Sequence, residues 1–136
     1  MEKDYNFKKF IGVGSRTGNY FISFNKSGFM ISSGFYLRER IKDFSRVVLY
    51  FDSSRSAVAI QFINDDKAEG SFALTHGNKE TTGSISARSF VVAHDLNNSR
   101  YFGRKIPKKI NYQGNEIFVI DLITEGKGNE NTNTAV

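Results

Sequence analysis

A chain of 136 residues, 39% of them hydrophobic, fits one domain and can bury a core, because a fold of this size hides roughly two thirds of its unfolded surface. The absence of cysteine excludes disulfides and thiolate metal sites, and no apolar run approaches the ~20 residues that cross a bilayer. Nineteen Lys+Arg against fourteen Asp+Glu leave a net charge of +5, which suits a polyanionic partner.

The opening Met-Glu-Lys-Asp-Tyr-Asn is charged and has no apolar centre, so it does not read as a secretory leader, and a cytoplasmic location is expected. Residues 1–6 read as a loose start and Phe7 to Val13 as a short strand carrying Lys8 and Lys9. Gly12 to Gly18 is a glycine-punctuated turn presenting Arg16. Its third glycine is out of place for a dinucleotide fingerprint, and it lacks the Gly-Lys-Ser/Thr of a phosphate-binding loop. Tyr20 to Phe24 alternates, Asn25-Lys26-Ser27-Gly28 has turn composition, and Phe29 to Ile31 returns as the partner strand. From Gly34 to Phe44 the spacing becomes helical, with Leu37, Ile41 and Phe44 as the expected core stripe. Val47 to Ile63 is an alternating hairpin closed by Asp52-Ser53-Ser54-Arg55-Ser56. Ser71 to Thr75 and Ser84 to Ser86 are short strands, and Ala87 to Leu96 is a helix expected to stop at the left-handed pair Asn97-Asn98. A basic run follows, then a hairpin from Ile110 to Leu122. Residues 124–134 offer nothing apolar to bury, which predicts a domain over 1–123 and a disordered, weakly acidic tail over 124–136.

Two segments share one local plan. Gly28-Phe29-Met30-Ile31-Ser32 and Gly83-Ser84-Ile85-Ser86 each run from glycine through Ile-Ser into a helical stretch, where a serine can cap the first free N–H groups. Strands outnumber helices throughout, so the expected class is α+β: a curved antiparallel sheet with two short helices packed on one face.

Catalysis finds little support. Only His76 and His94 could act as imidazole bases, neither lies in a recognisable signature, and metal-ligand spacing is absent. The chain is expected to be no enzyme and to need no cofactor.

Nucleic acid fits better. Holding a single strand without reading it needs cations along the phosphates and rings on which bases stack. The chain interleaves the two in Lys8-Lys9-Phe10, Arg16 with Tyr20, Phe24 with Lys26, and Arg100-Tyr101-Phe102-Gly103-Arg104-Lys105, continued by Lys108 and Lys109. Phe10, Tyr20, Phe24 and Tyr101 are the rings expected to be exposed, because basic or turn residues lie close by. Asp121, Glu125 and Glu130 against Lys127 leave residues 121–136 at −2 and residues 1–120 at +7, so the body carries the cationic surface.

The stretch Lys79-Glu80-Thr81-Thr82-Gly83-Ser84-Ile85-Ser86, ending a run of strands and entering a helix, resembles the positive-cofactor-four and Whirly group of single-stranded DNA binders. That resemblance covers roughly Tyr20 to Leu96. It implies a curved antiparallel sheet backed by a helix, a homodimer or higher homo-oligomer, DNA contacts by Lys79 and Arg88, and a role in replication, recombination or transcription; the sequence leaves open whether RNA binds as well. Val47–Ile63, Gly70–Leu96 and the closing Ile117–Leu122 are similar to small phage and mobile-element proteins of that type, which implies a phage-encoded member, and the tail is expected to recruit a replication or transcription protein. The tryptophan and early proline often seen in the family helix are missing here. A second resemblance runs through Ile22 to Ile31, the helix, Val47–Phe51 and Val58–Phe62, which is similar to the swapped-hairpin transition-state regulators. Those bind duplex DNA as dimers through basic residues on turns. A third reading is a non-enzymatic module whose basic face docks an acidic protein.

Overall fold

The computed structural model describes residues 19–123. The Phe7–Val13 strand, Lys8, Lys9, Phe10, Arg16 and the 124–136 tail lie outside the described residues. Among the described residues nine strands form one antiparallel sheet: β1 Ile22–Asn25, β2 Gly28–Ile31, β3 Arg46–Asp52, β4 Ala57–Ile63, β5 Phe72–Gly77, β6 Thr82–Ser86, β7 Gly103–Lys105, β8 Lys108–Tyr112 and β9 Asn115–Asp121. Two six-residue helices, α1 Ser33–Arg38 and α2 Arg88–Ala93, interrupt them. The architecture is therefore mainly β. Among the described residues no helix is long and apolar enough to cross a membrane.

The strand order is β7-β1-β2-β6-β5-β3-β4-β9-β8. Its two outermost strands, β7 and β8, are consecutive in sequence and joined only by Ile106-Pro107, so the sheet curls until its edges share one chain segment. Strand β5 does the turning. Phe72 and Ala73 pair with β3, whereas Leu74 to Gly77 pair with β6.

Period-2 alternation carries the core. Val47 in β3, Val58, Ile60 and Phe62 in β4, and Phe118, Ile120 and Leu122 in and after β9 point inward, meeting Ile22, Phe24, Phe29 and Ile31 from the first hairpin. The helices contribute Phe35 and Tyr36 from α1 and Phe90 and Val91 from α2. Phe35 lies 4.8 Å edge-on to Phe118, which ties the first helix to the last strand.

Within the described residues two halves share one plan, β-β-α-β-β, and the second adds β7 between its helix and its last hairpin. The helices begin at 33 and 88. Each ends two residues before a left-handed residue, Arg40 (φ 56) or Asp95 (φ 57), which a buried aliphatic follows, Ile41 or Leu96. β2 pairs with β6 and β4 with β9, so each strand lies antiparallel to its own counterpart, as an internal two-fold axis requires. The hairpins interleave. The β3–β4 hairpin of the first half sits between β5 and β9 of the second.

Three expectations are corrected. The helix expected over Gly34–Phe44 stops at Arg38, Arg40 turns left-handed, and a 3-10 turn at Ile41–Asp43 follows. That break lets Ile41 drop to full burial while Leu37, expected in the core, is 59% exposed; Phe35 and Tyr36 take its place. The helix expected over Ala87–Leu96 ends at Ala93, and the left-handed residue is Asp95 rather than Asn97-Asn98. Asn98 instead caps a 3-10 turn at Ser99–Tyr101 by accepting from the Arg100 N–H. Finally, the expected separation into a sheet with helices on one face gives way to a curled sheet whose helices, each under two turns, share the core.

Candidate nucleic-acid interface

The β1–β2 turn is built by Asn25, whose Oδ1 accepts from the Ser27 and Gly28 N–H groups at 2.8 and 3.1 Å. Lys26 is left exposed at its tip. The Ser27 carbonyl accepts from Ala87 N at 2.8 Å, which fixes the start of α2, and with it the exposed Arg88, beside this turn. On the other flank, β7 pairs Gly103 with Phe24 and Arg104 with Ser23. The 3-10 turn that precedes β7 therefore lies beyond Phe24, against the same end of β1, and presents Arg100.

Four of the expected cations thus gather at one corner of the sheet: Lys26, Arg88, Arg100 and Arg104. Among the described residues none of them forms an ion pair. Rings lie beneath two of them. The Arg104 guanidinium sits 4.4 Å from the Phe21 centroid, and that of Arg100 sits 5.8 Å from Tyr101. Tyr101 and Phe102 are half-buried, the latter edge-on to Phe24 at 5.7 Å. A guanidinium held over a ring keeps its N–H donors aimed outward, which suits a phosphate oxygen.

The remaining expected residues are elsewhere. Phe24, expected to be exposed, is 1% exposed, because its strand face is the one turned into the core. Lys105, expected to grip phosphate, is buried and donates from Nζ to the Leu122 carbonyl at 2.9 Å; burial pushes its pKa down, opposed by Asp121. Lys109 is engaged by Glu39 at 2.9 Å and by Glu116 at 3.8 Å, lies 5.7 Å from the Phe118 centroid, and has its pKa raised chiefly by the bond to Glu39. Lys108 sits on the outer face of the other half of the sheet, 4.0 Å from Asp121. Tyr20, also expected to be exposed, is half-buried and donates from Oη to Glu39 at 2.8 Å, with Arg38 over its ring at 5.0 Å. Burial, then the bond to Glu39, hold its phenol well above the usual tyrosine range.

Lys79 occupies the β5–β6 turn, where Asn78, Lys79 and Glu80 are all left-handed. Gly83 pairs with Ile31 and Ser86 with Gly28, so this turn and the Lys26 turn lie at opposite ends of the β2–β6 ladder. The internal two-fold relates the two lysines and does not bring them together.

His76, read from the sequence as a loop residue, lies in β5. Its Nδ1 is 2.6 Å from Tyr36 Oη and its Nε2 is 2.8 Å from the Phe44 carbonyl. In a neutral ring the nitrogen facing the carbonyl carries the hydrogen, and the other accepts from Tyr36. This is a structural tie between β5, α1 and the 3-10 turn. Among the described residues no group of three or more His, Asp or Glu could hold a metal ion.

Sequence reasoning missed Phe21, the ring under Arg104, and the exposed rings Tyr50 and Tyr112. Alternation marks Tyr50 as opposite to Leu49 and Phe51 but does not say which face is outside. Compared with protein-family models, curated proteins and solved structures, the chain matches none.

Proposed function

We propose that this protein is a non-enzymatic nucleic-acid binder that holds single-stranded DNA, without reading its sequence, in replication, recombination or transcription. The observation that carries the reading is the gathering of Lys26, Arg88, Arg100 and Arg104 around the β1–β2 turn, none of them in an ion pair among the described residues. Four such cations release counterions when they meet phosphates, which makes binding favourable and strongly salt-dependent. Tyr101, half-exposed beside Arg100, is the ring placed to stack on a base.

A second reading is favoured by a separate observation. The β-β-α-β-β halves with interleaved hairpins are what a swapped-hairpin regulator would give if both copies were joined in one chain, and such a protein would bind duplex DNA. Fluorescence anisotropy with a labelled thirty-base oligonucleotide, single-stranded and duplex, across a salt series separates the two. Preference for the single strand with a steep salt slope supports the first reading, and preference for duplex supports the second. No binding to either at low salt leaves the corner to an acidic protein partner.

A further inference from the structure

The outer face of β3, β4, β9 and β8 lies on the half of the sheet away from the cationic corner. Register aligns its outward residues in rows across the strands. Tyr50 is level with Ala59, Val119 and Lys108; Val48 with Gln61; and Ile110 with Ile117. Tyr50, Ile110 and Tyr112 are 44%, 41% and 53% exposed, and Val48 and Val119 are half-buried between them. Scattered apolar side chains on a surface need no explanation, but several side by side on one sheet face mark a contact surface.

The charges bordering this face identify its occupant. Arg46 begins β3 and Asp52 ends it, both on the outward register, and Asp121 is level with Asp52 through Ala57. With Lys108 the face holds two cations and two anions, so it has no surplus charge for phosphates. Its ends are opposite in sign, basic at Arg46 and acidic at Asp52 and Asp121. We propose that this face docks on the same face of a second copy of the chain. A rotation of 180° about an axis in the face and perpendicular to its strands lays the apolar rows on one another. The same rotation brings Arg46 of each copy to Asp52 of the other. Three seven-residue strands and the five-residue β8, about 4.8 Å apart, offer roughly 400 Å² of face per copy. Roughly 800 Å² for the pair is below the size of a permanent interface, so the dimer forms and dissociates with concentration.

Sedimentation velocity across a hundredfold concentration range tests this. The expected result is a shift from one-chain to two-chain mass as concentration rises. Arg46→Asp and Asp52→Arg should each remain at one-chain mass, since each places like charges opposite each other. Mixing the two variants should restore the two-chain species, because both contacts then become opposite in sign. Circular dichroism establishes that each variant is folded. If Arg46→Asp is not, because Arg46 also bonds Ser71, the exposed Tyr50→Lys replaces it and should likewise stay at one-chain mass. Wild-type protein that remains at one-chain mass throughout overturns the proposal. So does a dimer unaffected by these variants, and so does a Tyr50→Lys variant that loses oligonucleotide binding with no change in mass, which would give the face to nucleic acid.

Discussion

The Lys105 ammonium donates to the Leu122 carbonyl at 2.9 Å, from β7 to the residue after β9, and so clips together strands near the two edges of the curled sheet. The bond satisfies a buried carbonyl, and a buried acceptor left unpaired costs about 1–3 kcal/mol.

Lys105→Met keeps the apolar stem and removes the donor. It should lower unfolding stability in urea by about 1–3 kcal/mol and leave the salt slope of DNA binding unchanged. Because burial lowers the Lys105 pKa in the fold, the unfolded chain binds this proton more readily. The wild-type contribution therefore improves as pH rises from the folded pKa toward the ordinary lysine value. Stability of the Met variant should lack that alkaline gain; an identical profile would mean that the clip is neutral in effect.

Lys26→Ala, Arg88→Ala and Arg100→Ala in combination should flatten the salt dependence of single-strand binding. Each lost phosphate contact removes about 0.7 from the slope of log K against log salt, so the triple variant should lose about 2. Lys79→Ala at the far turn should change the slope by no more than a single contact's worth. A triple variant with the wild-type slope would move the interface away from this corner.

Phe24 and Tyr101 separate packing from stacking. Phe24→Ala should cost about 3–5 kcal/mol of stability, as truncation of a buried ring does, with little effect on the affinity of folded protein. Tyr101→Ala should cost about 1–3 kcal/mol of single-strand affinity. Calorimetric unfolding and anisotropy on both variants give the comparison, and equal affinity for the Tyr101 variant would remove stacking from the mechanism.

Alkali should unfold the protein through tyrosine. The Tyr20 and Tyr36 pKa values are raised, chiefly by burial, and that of Lys109 is raised chiefly by its bond to Glu39. A group whose folded pKa lies above its unfolded one binds its proton more tightly in the fold. Its contribution is complete below the unfolded value, about 10 for tyrosine, and is lost as pH rises through the folded one. The last tyrosinate absorbance should therefore appear together with loss of the sheet's circular dichroism. Tyr20→Phe removes one of these ionising phenols while Glu39 keeps Lys109, so it should move that transition to higher pH.

The two motif glycines should differ sharply. At Gly28 (φ 141) an added Cβ would clash with the Ile85 carbonyl and lie 2.8 Å from Ala87 N, both backbone atoms. At Gly83 it would meet only side chains, at 3.4–3.5 Å. Gly28→Ala should therefore be far more destabilising than Gly83→Ala in thermal unfolding, because the backbone cannot step aside as a flexible side chain can.

By itself the sequence determined the local elements: the Val47–Ile63 hairpin, the Asn25–Gly28 turn and the two Gly-to-Ile-Ser segments entering helices. Alternation, turn chemistry and capping act over a few residues, and the structure places strands or helices at each of them, although only the first helix is capped by its serine: Ser32 accepts from the Phe35 N–H, whereas the second starts at Ala87 with no side-chain cap. The tertiary structure decided what those elements face. Period-2 alternation separates two faces without saying which is inside, so Tyr20 and Phe24 read as exposed while Tyr50 and Tyr112 passed unnoticed. The basic run from Arg100 to Lys109 reads as one patch. Pro107 divides it into β7 and β8, and alternation then sends Arg104 and Lys108 outward, Lys105 to a buried carbonyl and Lys109 to Glu39. Only pairing between distant strands decided which cations keep their charge for a partner, because that pairing sets which of them meet an acceptor inside the fold.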